Sequence, residues 1–190
     1  MAQKRFAFVI EIDRCIDCKA CMVACSVENN VPVGHHRNWV KQIGPNGTYP
    51  ILGMHFEAGN CMHCTNPPCE RVCPTGATYR RDDGLVMINQ DICIGCKYCI
   101  EACPYDARYF NEETGTTDKC TGCVHRVYRG EEPACVATCI GNSRHFGDIN
   151  DPRSEVSELI AKNKYYTVYE EAGTHPAVYY IYRGERSNEP

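Results

Sequence analysis

No stretch of this 190-residue chain approaches the roughly 18 consecutive apolar residues that a membrane-spanning helix needs. The longest near the start, residues 6–10, is broken by Glu11. Lys4 and Arg5 precede no adequate apolar segment and no small-residue cleavage site, so the sequence is not expected to carry a signal peptide. A basic block is missing too. The 24 acidic residues outnumber the 20 basic ones, the formal charge is −4, and nothing points to nucleic acid. There is no P-loop, no G-x-G-x-x-G and no G-x-S-x-G, which removes the common signatures of nucleotide binding and serine hydrolysis. Apolar residues are scarce as well. They make up 43%, a share that falls to about 35% once cysteine is set aside, so a purely hydrophobic core would be marginal. Low net charge and twelve tyrosines nevertheless argue against disorder. The length suits one ordinary domain or two very small ones.

What the chain has instead is cysteine. Sixteen in 190 residues lies at the edge where composition alone signals a cross-linked or metal-stapled scaffold. Part of the stability is therefore expected to come from what those thiols bind. They fall into four groups of four with none left over: Cys15, Cys18, Cys21, Cys25; Cys61, Cys64, Cys69, Cys73; Cys93, Cys96, Cys99, Cys103; and Cys120, Cys123, Cys135, Cys139. Each group opens with C-x-x-C and closes with C-x-x-x-C, a fourfold internal repeat of ligand sets.

Disulfides would explain an even count, but they suit exported chains and need no three thiols within seven residues. Structural zinc uses C-x-x-C pairs, typically two pairs separated by a longer loop. Haem attachment needs C-x-x-C-H, and the residues that follow here are Lys19, Thr65, Lys97 and Val124. The compact C-x-x-C-x-x-C-x-x-x-C of the first and third groups is the bacterial ferredoxin spacing for iron–sulfur clusters. Three thiolates two residues apart let a tight loop wrap three corners of a cubane and aim backbone N–H groups at its sulfurs. The fourth thiolate points away and ligates the neighbouring cluster, so motifs exchange fourth ligands in pairs. Four complete groups predict four 4Fe–4S clusters.

The flanking residues suggest the pairing. Cys73 and Cys103 are followed by Pro74 and Pro104, matching the ferredoxin run that ends C-P, whereas Ser26 and Ile140 follow Cys25 and Cys139. Residues 77–80 and 85–88 around Asp82-Asp83-Gly84 read as a hairpin joining the second and third groups. The reading is nested. Cluster a takes Cys15, Cys18, Cys21 and Cys139, and cluster b takes Cys120, Cys123, Cys135 and Cys25. Cluster c takes Cys61, Cys64, Cys69 and Cys103, and cluster d takes Cys93, Cys96, Cys99 and Cys73. The expected fold is α+β and loop-rich: two interleaved bacterial ferredoxin-like modules with short hairpins and helices. Residues 1–60 and 111–150 form one module, 61–110 the other, and 151–190 a C-terminal extension. Strands are expected at 6–12 and 105–110, with a Gly147-Asp148 turn closing the strand after the fourth group.

The run Cys61-Met-His-Cys-Thr-Asn-Pro-Pro-Cys-Glu-Arg-Val-Cys-Pro-Thr-Gly-Ala77 resembles the second motif of iron–sulfur subunits in the dimethyl sulfoxide reductase family. So do Lys119-Cys-Thr-Gly-Cys-Val-His-Arg126 with Gly130 and Pro133-Ala-Cys135, and the tail Glu171-Ala-Gly-Thr-His-Pro-Ala-Val-Tyr-Tyr180. The likeness runs from about Phe6 to Tyr182 and is strongest to the small subunits of polysulfide, thiosulfate, tetrathionate and arsenate reductases. It implies a non-catalytic electron-transfer subunit seated between a molybdenum- or tungsten-pterin catalytic subunit and a quinone-reactive membrane subunit. It also implies a peripheral place in a membrane complex, on the periplasmic face if co-exported with the catalytic chain and cytoplasmic otherwise. Cys139-Ile140-Gly141 departs from the proline common in relatives at that point. All sixteen ligand positions are cysteine, so no three-iron cluster is expected.

A fully ligated cluster offers a substrate no open coordination position, which leaves one-electron relay as the use of four of them. Two other classes stay open on the residues alone: a free-standing polyferredoxin and a zinc-stapled interaction module. Each cluster adds a charge of about −2, taking the formal total from −4 to about −12. Lys19, Lys97, Lys119, Arg126 and Arg129 lie near motifs, either offsetting that charge or simply solvated. His63 and His125 sit inside motifs, as donors to cluster sulfur or as packed side chains. His35 and His36 beside Trp39 form a partner contact or an ordinary loop. Asp151-Pro152 reads as a helix N-cap followed by N1, with Val156, Leu159 and Ile160 on its apolar face. Six tyrosines between residues 165 and 182 form either an arm for a partner or a cover for the cluster domain.

Overall fold

The computed structural model describes residues 3–183. The fold is built around β1 (Phe6–Glu11), whose Ala7, Phe8, Val9 and Ile10 are all at most 1% exposed. Burial on both faces explains the continuous apolar run, which lacks the alternation of a half-exposed strand. On one edge β1 pairs antiparallel with β8 (Arg144–Asp148), Phe8 opposite Phe146. On the other it pairs parallel with β10 (Val178–Ile181), Ile10 opposite Tyr180. A two-residue β9 (Tyr165–Tyr166) completes the sheet in the order β8-β1-β10-β9.

The period of two along β1 sorts the faces. Val9 packs with Val156 and Ile181 beneath α6 (Glu155–Lys162). Phe8 and Ile10 face the other way, into a core that includes Cys21, Cys61, Cys64, Cys120 and Cys135. Thiols are therefore part of the packed interior, as the thin apolar composition requires. The tyrosine-rich tail covers the cluster domain: Tyr180 is fully buried on β10 and stacks on Tyr166 at 5.3 Å.

Between β1 and β8 the chain lays out its motifs. After α1 (Ala20–Asn29) comes a long antiparallel hairpin of β2 (Asn38–Thr48) and β3 (Ile51–Asn60). At its base Trp39 lies across Gly59, where a Cβ would stand 2.4 Å from the indole nitrogen, so only glycine fits. Next come α2 (Pro68–Arg71), the small hairpin β4 (Thr78–Arg80) with β5 (Val86–Ile88), and α3 (Tyr98–Glu101). A third hairpin follows, β6 (Arg108–Asn111) with β7 (Thr116–Lys119), then α4 (Val124–Val127) and α5 (Ala134–Ala137).

The 77–88 hairpin forms as expected. Three local expectations shift. The strand expected at 105–110 begins only at Arg108, because Tyr105 to Ala107 complete the turn after Cys103, with Asp106 at φ 52°. Gly147 and Asp148 are the last residues of β8 and pair with Ala7 and Phe6, and the turn follows them. Asp151 does not cap α6. Its carboxylate accepts from Arg153 N–H at 3.0 Å and its carbonyl from Ser154 N–H at 3.0 Å, closing a turn. Ser154 is the cap, its Oγ accepting from Ser157 N–H at 3.2 Å. Val156, Leu159 and Ile160 do form the apolar face of that helix.

Candidate metal centres

The fourfold repeat in sequence is also a repeat in backbone conformation. Two residues beyond the first cysteine of each group stands a residue with positive φ: Asp17 at 55°, His63 at 42°, Gly95 at 66° and Gly122 at 66°. The second, third and fourth groups share another, three residues past the last cysteine: Gly76, Asp106 and Asn142. Left-handed residues set among right-handed ones turn successive N–H groups inward, the geometry of an anion nest. Sulfur is the acceptor where these contacts form. Thr78 N–H donates to Cys73 Sγ at 3.5 Å, Gly122 N–H to Cys120 Sγ at 3.4 Å and Ser143 N–H to Cys139 Sγ at 3.2 Å.

All sixteen cysteines are free thiols. Cys15, Cys18, Cys21 and Cys139 line one pocket, together with Ile16, Val40, Ala58 and Arg144. Cys61, Cys64, Cys69 and Cys103 line a second, closed by Pro67, Val86, Tyr105 and Arg108. In a third set the Cys25 thiol is acted on electrostatically by Cys135 and Cys123, and Cys120 by Cys25 and Cys135. Helices α1 and α5, which carry Cys25 and Cys135, pack on each other, as do α2 and α3, which carry Cys69 and Cys99. Cys93 and Cys96 lie on the loop that leads into α3, and its positive-φ residues, Gly95 and Lys97, repeat Asp17 and Lys19 of the first group.

Among the described residues no three His, Cys, Asp or Glu side chains converge closely enough to hold a single metal ion. Eight of the thiols line the two pockets instead, four to each, an arrangement that suits a polynuclear cluster. Burial pushes the thiols of Cys25 and Cys64 up to about 12 and that of Cys69 to about 11. A cationic iron–sulfur core must therefore displace protons to bind, which links loading to folding.

The sets adjoin in series. Cys21 acts on Cys135 and Cys61 acts on Cys120, while Arg108 is acted on by Cys69 and Cys61 and also by Cys99. Exposure follows this order. Cys25, Cys120, Cys123 and Cys135 are all buried, as are Cys61, Cys64 and Cys69, whereas Cys18 and Cys96 are exposed. Each exposed thiol has apolar neighbours in solvent, Ile16 and Ile140 at one end and Ile94 and Tyr98 at the other.

The flanking residues divide. Lys19 pairs with Asp17, Lys97 lies over the Phe110 ring at 4.2 Å, and Arg126 pairs with Glu28 at 2.8 Å, all toward the surface. Arg129 pairs with Glu131 and is largely exposed. Lys119 is only 1% exposed. His125 bonds Glu28 at 2.7 Å and does not serve a thiol set. His63 is buried; its Nδ1 accepts from Val86 N–H at 3.0 Å, so the proton sits on Nε2, which has no partner in the protein. His35 stacks on Tyr109 at 4.6 Å. Two buried cations were not foreseen, Arg108 and Arg144. The signal for them was present, because each stands five residues after the last cysteine of its group, at the start of a strand.

Comparison with known proteins accords with this geometry. The 4Fe–4S dicluster domain matches residues 52–149, and a second pattern of the same description matches residues 14–77. A tetrathionate reductase subunit of Salmonella typhimurium is 43% identical over 93% of this chain and 72% of its own length. A polysulfide reductase chain of Wolinella succinogenes is 40% identical over 94% of each sequence. A selenate reductase subunit of Mesobacillus selenatarsenatis is 39% identical over 93% of this chain and 72% of its own. With thiol voids, nested amides and these relatives together, the protein belongs to the 4Fe–4S dicluster family, among the electron-transfer subunits of dimethyl sulfoxide reductase-type complexes.

Proposed function

We propose that the chain holds four 4Fe–4S clusters and relays single electrons between a quinone-linked membrane subunit and a molybdopterin catalytic subunit of a respiratory oxidoreductase. Cys15, Cys18, Cys21 and Cys139 would hold cluster a, and Cys25, Cys120, Cys123 and Cys135 cluster b. Cys61, Cys64, Cys69 and Cys103 would hold cluster c, and Cys73, Cys93, Cys96 and Cys99 cluster d. The two ferredoxin-like modules are then residues 1–60 with 111–150, and 61–110. The observation that carries the reading is the serial arrangement of the thiol sets, buried in the middle and open at Cys18 and Cys96.

When bound, the clusters supply reversible one-electron storage. The protein does the rest. Electron tunnelling decays exponentially with distance, so the packing of α1 on α5 and of α2 on α3 keeps successive steps short. Phe8, Val86 and Tyr105 keep water from the inner sets. Backbone N–H groups at Thr78, Gly122 and Ser143 stabilise thiolate charge. With four thiols per set no coordination position is left for substrate, so the chain is a conductor and not a catalyst. Ile16 with Ile140, and Ile94 with Tyr98, give each end an apolar rim on which a partner subunit can exclude water.

No helix of the described residues is long and apolar enough to cross a membrane. The chain would then sit peripherally in its complex, on the periplasmic face when co-exported with the catalytic chain. Purification from native membranes tests the reading. The expected result is stoichiometric recovery with a molybdenum- or tungsten-containing chain and reduction of the clusters by quinol. A chain that runs alone and exchanges electrons with several unrelated soluble enzymes is a polyferredoxin instead.

A further inference from the structure

Among the described residues three Lys or Arg side chains are sealed inside: Arg108 at 5% exposure, Lys119 at 1% and Arg144 at 1%. Their positions are ordered along the thiol sets. Arg144 lines the void of Cys15, Cys18, Cys21 and Cys139 and is acted on most strongly by Cys135 of the next set, then by Cys21. Lys119 donates through Nζ to the carbonyls of Val86 and, at 2.7 Å, Cys120, and it lies within the field of Cys61. Arg108 donates through Nη2 to Cys69 Sγ at 2.9 Å and through Nη1 to Thr78 Oγ1 at 3.1 Å, and is acted on by Cys99 of the outer set. The hydrogen bonds of the three go to carbonyls, a hydroxyl, an amide oxygen and a thiol. Arg144 Nε and Nη1 have no oxygen or nitrogen acceptor at all.

A buried, unpaired cation costs several kcal/mol unless an opposite charge lies close. In a chain with so thin an apolar core, three such groups need a reason. We infer that each of the three gaps between successive clusters contains one fixed cation: Arg144 between a and b, Lys119 between b and c, and Arg108 between c and d. These positioning charges hold the midpoint potentials of the two flanking clusters up. The inference rests on the four-cluster reading above. An electron arriving on either side of a gap adds one negative charge, which the cation stabilises on both sides, so neither neighbour becomes a trap. Placement by the repeat supports this. Arg108 and Arg144 each open a strand five residues after the closing cysteine of their group, and the same place after the second group holds Thr78, the hydroxyl that orients Arg108.

The test is redox titration of the purified subunit complex followed by electron paramagnetic resonance, with iron counted per chain. About sixteen irons and four reducible clusters in the wild type verify the underlying reading independently. Arg144→Gln is expected to lower the potentials of clusters a and b only, Lys119→Gln those of b and c, and Arg108→Gln those of c and d. The charge-keeping variants Arg144→Lys, Lys119→Arg and Arg108→Lys are expected to stay near wild type. A loaded glutamine variant with wild-type potentials, or one that moves all four clusters equally, overturns the inference. A glutamine variant that fails to load is replaced by methionine at the same position. If none of the three sites loads without its charge, the cations serve folding and the tuning role is wrong.

Discussion

The inner and outer thiol sets use the same ligand spacing and meet different surroundings. Every cysteine of the set Cys25, Cys120, Cys123, Cys135 is buried, and β1, β10 and Val136 lie over the inner sets. The outer sets lie nearer the surface, which leaves Cys18 and Cys96 in solvent. Spacing in sequence decides what a motif can bind, and the element laid over it decides how that site meets water. A relay needs both kinds, sealed steps in the middle and open steps where partners dock.

The largest effect that bears on this contrast is loss of iron. Because thiols form part of the core, protein stripped of iron is expected to lose its cooperative thermal transition, measured by circular dichroism. Under a chelator with mild oxidant the iron is expected to leave in two phases, the outer sets first. A single phase would erase the distinction between inner and outer sets. Ligand exchange sharpens it next. Cys103→Ser is expected to disturb cluster c and Cys139→Ser cluster a, each seen as the change of one paramagnetic signal, although both residues sit on loops whose other cysteines serve a neighbour.

Packing gives a smaller contrast. Phe8→Ala empties a buried site beneath the inner sets and is expected to cost about 3–5 kcal/mol, lowering the melting temperature by roughly 10 °C. Ile94→Ala at the outer rim, where the side chain is 66% exposed, is expected to cost under about 0.5 kcal/mol and to weaken partner binding instead. The smallest effect lies far from any thiol. Ser154→Ala removes the α6 cap and is expected to cost about 1 kcal/mol with all cluster signals unchanged.

The sequence showed the thiol groups because their chemistry is local: four ligands within 20 residues or fewer leave an unmistakable spacing. It showed β1 and the 77–88 hairpin for the same reason, an apolar run in one case and Asp82-Asp83-Gly84 in the other. The β2–β3 hairpin stayed hidden. Gly44, Pro45, Gly47, Pro50 and Gly53 interrupt any alternation there, and its register shifts between Ile43 and Asn46. Parallel pairing of β1 with β10 joins opposite ends of the chain and leaves no local trace. Asp151 misled as a helix cap because its carboxylate was equally able to close the turn before Ser154. Arg108 and Arg144 went unnoticed, since burial of a charge makes sense only once the thiol sets beside them are assembled.

The central claim is that these thiols cradle polynuclear iron–sulfur clusters, and the ratio of iron to acid-labile sulfide in the purified chain tests it most directly. The account predicts about sixteen of each per chain, with broad absorbance near 400 nm that bleaches on reduction. A colourless chain with about one zinc ion per thiol set and no labile sulfide would contradict it.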